Sequence, residues 1–232
     1  MIKKIVKKTW WQRLKRIFLW LLVLQFFYII ILRWINPPVT ITQVVSLLKG
    51  NGLKRNYVSY NYINNSAKLA VMGGEDQLFP DHNGFDVKAI KKAVKYNKKH
   101  PTKVRGASTI SQQVAKNVFL WQGGGFFRKG LEVYFTFMIE TFWGKPRILQ
   151  MYLNVAEMGK GIFGIQAAAQ NYFNKDAADL SPIEAAQIAA ALPNPVRFTV
   201  KPLSNYVAAR SGNIMRQMNN LETDPDIKEL IK

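Results

Sequence analysis

The chain has no cysteine, only two histidines, and few acids: 14 Asp and Glu against 33 Lys and Arg, a net charge of +19 over 232 residues. The missing cysteine excludes a disulfide framework and a zinc–thiolate site. No second nitrogen stands at metal-ligand spacing from His82, which therefore reads as a hydrogen-bonding residue. Period-two alternation is scarce, apart from an extended piece near Asn56 to Tyr62, so a β-rich architecture is excluded. Neither an internal repeat nor a low-complexity tract is present. The shortage of acids is local. The first sixteen residues carry seven Lys or Arg and no acid, and Val87 to Leu131 carries eleven and none. Such excess suits nucleic acid or an anionic membrane surface.

The segment that follows the basic N-terminus decides between those partners. Ile17 to Leu32 is an uncharged run of sixteen residues, interrupted only by Gln25. That is slightly short for a spanning helix of about 17–25 residues, but Arg16 and Arg33 can snorkel, and Trp10, Trp11 and Trp34 suit the interfaces. A cleaved signal peptide is the alternative, yet Asn36-Pro37-Pro38 follows in place of a small-residue cleavage site. The expected organisation is a cytoplasmic basic tail over 1–16, a transmembrane anchor over 17–35 and an extracytoplasmic domain over 36–232. Nucleic acid is then no partner.

Beyond the prolines the patterns are helical. Asp86 can cap a helix with Val87, Ile90 and Val94 on one stripe, ended by His100-Pro101. Ser181-Pro182-Ile183-Glu184 reads as a capping box before an Ala-rich helix that stops at Pro193-Asn194-Pro195. A last helix covers Tyr206 to Leu221. The fold class is mainly α.

Polar residues then appear where a surface helix would not put them. Along Ser108 to Leu120, Thr109, Gln112, Gln113, Lys116 and Asn117 share one face, opposite Ile110, Val114 and Val118. A solvated stripe would favour Glu and Lys, whereas amides suit sugar hydroxyls and phosphate oxygens. Ser108 and Thr109 lie at the helix start, where free N–H groups favour anions. In Lys129 to Phe142 apolar residues surround the helix, predicting burial, and only Glu132, Thr136 and Glu140 break the pattern. A buried carboxylate needs a partner, and Arg128 and Lys129 stand just upstream. Glu140 reads as a structural ion pair and Glu132, nearest the cations, as functional. Arg147, Gln150, Asn154 and Glu157 recur at helical spacing; Asn154 and Glu157 either support the site or stitch helices together, and the structural role is the one expected. Leu120 to Phe127 is a glycine-rich aromatic loop, either simply mobile or dipping into a lipid interface.

Glu75-Asp76 follows an apolar helix, Leu69 to Met72, that Gly73-Gly74 is expected to close. A carboxylate there suits a general base, though acidic pairs also occur at ordinary helix ends. A candidate base beside a cationic, amide-rich stretch suggests group transfer from a phosphorylated donor.

From about Val39 to Met218 the sequence resembles the peptidoglycan glycosyltransferases: the monofunctional biosynthetic transglycosylases and the N-terminal module of class A penicillin-binding proteins. Five motifs occur in order: Glu75-Asp76 with Phe79, His82 and Gly84; Ser108-Thr109-Ile110 with Gln112-Gln113 and Lys116-Asn117; Arg128-Lys129 with Glu132; Ile148-Leu149 with Tyr152-Leu153-Asn154 and Gly159; and Ala191-Leu192-Pro193-Asn194-Pro195. Gly73-Gly74, Ala107 and Ser111 depart from the usual residues. The resemblance implies a lysozyme-like, two-lobed helical domain that polymerises lipid II with inversion and releases a polyprenyl pyrophosphate. It makes Glu75 the base and Glu132 a second catalytic residue. Ser108, Thr109, Gln112, Gln113, Lys116, Asn117, Arg128 and Lys129 would bind substrate. It implies no obligatory cofactor, although a divalent cation (Mg²⁺ or Mn²⁺) can assist. The implied partners are lipid II, the growing strand, membrane lipid and other cell-wall synthesis or division proteins, with the enzyme in the inner (plasma) membrane. With no transpeptidase module after the last motif, the monofunctional kind is expected. A lytic transglycosylase or lysozyme-type hydrolase and a non-catalytic wall-binding module are the alternatives.

Overall fold

The computed structural model describes residues 2–102 and 104–232, with side chains from Thr9 onward. It divides into two compact units, Met1–Asn36 and Pro37–Lys232.

The first unit is one helix, α1 (Ile2–Ile31). Its stretch Thr9–Ile31, 23 residues, is long and apolar enough to cross a membrane. At about 1.5 Å per residue its length matches the roughly 30 Å of a hydrocarbon core. Counting only the uncharged run underestimates this length, because Trp10, Trp11 and Leu14 continue the same helix around isolated charges.

The second unit contains ten α-helices among the described residues: α2 (Ile41–Leu48), α3 (Asn65–Glu75), α4 (Val87–Lys99), α5 (Ile110–Phe119), α6 (Phe126–Phe142), α7 (Lys145–Val155), α8 (Ile165–Phe173), α9 (Pro182–Ala191), α10 (Asn205–Leu221) and α11 (Pro225–Ile231). Local chemistry sets several starts. The Asp86 carboxylate accepts the Ala89 N–H at 2.8 Å, capping α4. Ser181 and Glu184 form a reciprocal capping box on α9. Three short strands, β1 (Lys54–Arg55), β2 (Glu157–Gly159) and β3 (Ile162–Phe163), make a small sheet in the order β1-β3-β2. β1 runs parallel to β3, pairing Lys54 with Ile162, and β2 runs antiparallel to it. The extended piece expected near 56–62 is displaced: the strand comes earlier, and Tyr60–Tyr62 is a 3₁₀ turn.

Two helical groups matter for function. One packs α3, α9 and α10 together; the other packs α5 against α6 and α7, with α2 also against α5. In the first group Gly73 and Gly74 do not close α3 but lie within it. A Cβ on Gly73 would stand 3.2 Å from Gln217 Cβ, and one on Gly74 would stand 3.2 Å from Ile214 Cδ1. The glycines therefore let α10 approach α3 closely, and Asp76 is the residue that caps the end. The C-terminal α11 was not expected from sequence. Buried Lys68 of α3 holds it, donating to the Ile231 carbonyl at 3.3 Å beneath the Tyr60 ring, while the Tyr60 hydroxyl donates to the Leu230 carbonyl at 2.7 Å.

The second group corrects the expectation for α6. Phe126 is 98% exposed and Phe137 62%, whereas Glu132 is 2% and Thr136 0% exposed. The polar residues that break the apolar pattern are thus on its inner face, together with Met138 and Ile139. Helix α2 is inverted in the same way: Thr42, Gln43 and Ser46 are buried, and Ile41, Val44, Leu47 and Leu48 are exposed. Apolar character alone does not tell which face meets the core when the outer face need not meet water.

Candidate active site

Glu75 is the last residue of α3 and is carried by the first helical group. Its Oε2 accepts a hydrogen bond from the Gln113 side-chain amide at 2.9 Å, across the junction to α5. The Tyr152 hydroxyl of α7 donates to the Gln113 carbonyl oxygen at 3.3 Å, which fixes that amide with its N–H toward Glu75. On the other side Arg210 of α10 places a guanidinium nitrogen 3.5 Å from Glu75 Oε1. Burial, the largest cause, raises the Glu75 carboxyl above its ordinary range, and Asp76 adds to this; Gln113, Arg210 and Lys116 oppose it. The result is a carboxylate that holds a proton more readily than one in water.

Asp76 has a different task. Its Oδ2 accepts the Ile110 N–H at 2.9 Å, and His82 Nε2 lies 3.0 Å from Oδ1. The start of α5 was expected to offer free N–H groups to a substrate anion; the chain supplies its own carboxylate there instead. Thr109 caps α5 in a reciprocal capping box with Gln112, and its hydroxyl donates to the Gly84 carbonyl at 2.7 Å. Gly84 has φ +84°, and a Cβ on it would stand 2.7 Å from Thr136 Cγ2, so only glycine fits between α5 and α6. His82 is a hydrogen-bonding residue, as its isolation in the sequence indicated.

The positive charge stands on the second group. Lys116 projects from α5 one turn beyond Gln113. Burial, the largest cause, pulls its ammonium below the ordinary lysine value, and Arg128 and Lys129 add to that; Glu132 and Glu75 oppose it. Glu132 sits beneath these cations. It accepts from Arg128 at 2.7 Å and also from Lys129. Glu140 pairs instead with Lys145 at 2.8 Å and accepts the Ser111 hydroxyl, a structural arrangement with a different cation from the two expected.

Two cavities meet here. One of about 600 Å³ is lined by Glu75, Asp76, Ser108, Thr109, Gln113 and Arg210, among others. The other, about 290 Å³, is lined by Lys116, Asn117, Gln122, Glu157 and again Gln113, with Pro193 common to both. Neither is lined by Gln112, Arg128, Lys129 or Glu132. Gln112 is buried and occupied in the cap of α5, and Asn117 accepts from Gln122 at 3.1 Å. Asn154 stitches α7 to the segment just before the 3₁₀ turn by accepting the Val58 N–H at 2.8 Å. Arg210 was missed in the sequence, although its position after Val207 and before Ile214 puts it on the buried stripe of α10. Among the described residues no three His, Asp, Glu or Cys side chains converge to hold a metal ion.

Residues 41–219 match the family described as Transglycosylase. The chain belongs to that family. It is 48% identical over 216 residues to a biosynthetic peptidoglycan transglycosylase of Pseudomonas putida strain GB-1, covering 90% of this chain and 91% of that protein. A protein of the same name from Aeromonas hydrophila is 49% identical over 195 residues, covering 82% and 83%. Another from Xylella fastidiosa is 45% identical over 219 residues, covering 91% and 90%.

Proposed function

We propose that this transglycosylase polymerises lipid II into peptidoglycan glycan strands for cell-wall synthesis. The carrying observation is the part-buried Glu75 carboxylate on the wall of the larger cavity, held by Gln113, which lines both cavities, with Lys116 one turn beyond Gln113 on α5 in the wall of the smaller one. The acceptor's 4-hydroxyl gives its proton to Glu75 as its oxygen attacks the anomeric carbon of the lipid-linked donor. The bond to the pyrophosphate breaks, and the electron pair leaves with the phosphate oxygen. A pyrophosphate departs as an anion, so no strong general acid is needed, but positive charge is. Lys116 supplies it at the cavity wall. Arg128 and Lys129, held by Glu132, add to the cationic field behind it. Direct displacement inverts the anomeric centre. Ser108 and Thr109 line the larger cavity and Asn117 the smaller one, as sugar- or phosphate-binding groups. Gln112 contributes by fixing the start of α5.

The protein sits in the inner (plasma) membrane through α1, with its basic N-terminus cytoplasmic and the catalytic unit outside. The exposed apolar faces of α2 and α6, and the loop before Phe126, rest in the lipid interface, where a polyprenyl substrate is presented. Lipid II, the growing strand and membrane lipid are its partners, alongside other cell-wall synthesis or division proteins.

A hydrolase reading lacks any use for the cations beside Glu132, because a glycan substrate carries no pyrophosphate. Purified full-length protein in detergent is expected to convert labelled lipid II into long glycan and to leave preformed strands uncut. Cleavage of strands without consumption of lipid II would reverse the assignment.

A further inference from the structure

Arg210 joins the two ends of one device. Helix α3 stops at Glu75, so its last carbonyls have no partner within the helix. Arg210 donates to the Gly74 carbonyl at 2.8 Å, and the same terminal nitrogen lies 3.5 Å from Glu75 Oε1. One guanidinium therefore satisfies the end of the helix and faces the side chain of its final residue. Its placement depends on the close approach of α10, which Gly73 and Gly74 permit and which Val207 and Ile214, buried on either side of Arg210, maintain. Arg210 also lines the larger cavity. A permanently charged guanidinium thus meets both acceptors through one of its nitrogens.

We propose that Arg210 is the positioning residue that aims the Glu75 carboxylate into the cavity and keeps it in its basic form. The inference rests on Glu75 acting as the base. The charged and titratable groups that face Glu75 are Asp76 on its own helix, itself held by His82, Lys116 from α5, Tyr152 from α7 and Arg210 from α10. Asp76 and burial favour the protonated acid; Arg210 and Lys116 oppose it, and Arg210 has the larger effect of the two cations. Tyr152 is itself pushed well above the ordinary tyrosine range, first by burial and then by Glu75 and Asp76, so it stays neutral. Without Arg210 the carboxyl would retain its proton to higher pH.

The test compares full-length wild type, Arg210→Gln and Arg210→Lys in two assays. In polymerisation of lipid II, Arg210→Gln is expected to move the acid limb of kcat/KM up by about one pH unit, since a neighbouring opposite charge shifts a carboxyl by roughly 1–3 units. KM should change little, activity should recover as the pH is raised, and Arg210→Lys should restore most of the shift. The second assay needs no turnover: carbodiimide labelling of Glu75, which requires the protonated acid, is followed by peptide mass spectrometry across pH. Its midpoint is expected to move upward in Arg210→Gln by a similar amount. An unchanged midpoint, or a loss confined to KM with no movement of the pH limb, would overturn the role. If Arg210→Gln does not fold, Arg210→Met, which keeps the apolar stem without the charge, takes its place in both assays with the same supporting and contrary results. Should Glu75→Gln keep full turnover, the base reading fails, and the labelling result still reports separately on the Arg210–Glu75 pair.

Discussion

Helices α10 and α6 are equally long and obey opposite rules. In α10 the buried stripe is mainly apolar, Val207, Ile214, Met218 and Leu221 with the small Ser211 and part-buried Arg210 among them, and most of its other polar residues are outward. In α6 the inner face is built on Glu132 and Thr136, while Phe126, Phe127, Val133 and Phe137 point outward. An aqueous surface explains the first. The second needs a purpose inside and an apolar medium outside: Glu132 is buried to hold two cations, and on the proposed placement at the membrane the phenylalanines meet lipid. On the proposed function, the base and the cationic field come from helical groups with different surroundings, joined through Gln113.

The sharpest way to break this contrast is to remove Glu132. Glu132→Ala would leave Arg128 partly buried without its carboxylate, and losing one partner of a buried pair costs about 3–5 kcal/mol. Chemical unfolding of the detergent-solubilised protein should show a loss of that order. Stability within about 0.5 kcal/mol of wild type would mean that the inner face of α6 does not depend on this pair. Next come two neighbours on one helix. Ile139→Ala should cost about 2–4 kcal/mol as a core truncation, whereas Phe137→Ala should cost little in detergent. Equal costs would remove the claim of inversion.

Affinity for lipid should follow the reverse order. Phe126→Ser combined with Phe137→Ser is expected to weaken binding of the protein to lipid vesicles, since burying one such side chain contributes roughly 1.5–3 kcal/mol. Because α1 would mask this in the intact chain, the reading is accessibility of α6 in proteoliposomes, measured by quenching of a fluorophore at residue 134 by lipid-borne quenchers. Quenching that the substitutions leave unchanged would put α6 in water. The smallest effect concerns pH. Because the native Glu75 carboxyl is raised by burial, the folded protein binds more protons than the unfolded chain, and stability falls as pH rises through that window. Glu75→Gln should therefore melt higher than wild type at neutral pH, and the gap should close in acid below the unfolded carboxylate range.

Much of the fold could be read from the sequence because its signals are local. Asp86, Ser181-Pro182 and Thr109 cap the helices they were expected to start, each through a side chain reaching three residues ahead. Gly73-Gly74 misled because a glycine pair signals either a helix end or a close contact, and only the approach of α10 separates the two. The burial of α6 misled because periodicity reports a contrast between faces, not which face meets the core. Within the candidate site, Gln113, Lys116 and the Glu132 cluster were legible as polar residues in unexpected places, whereas Glu75 stood out only as a carboxylate ending an apolar helix. Arg210 was not, since its meaning depends on a helix 135 residues downstream folding back onto Glu75. The filling of the α5 start by Asp76 was equally hidden, because a helix start shows its donors in sequence but not their occupant.

The central claim is that Glu75 takes the proton while the cations receive the pyrophosphate. Its most direct test is single-turnover polymerisation of lipid II by Glu75→Gln, alongside equilibrium binding of the same substrate. The account predicts a fall in turnover of about 10²-fold or more with binding retained, as expected for loss of a general base. Turnover equal to wild type would contradict it.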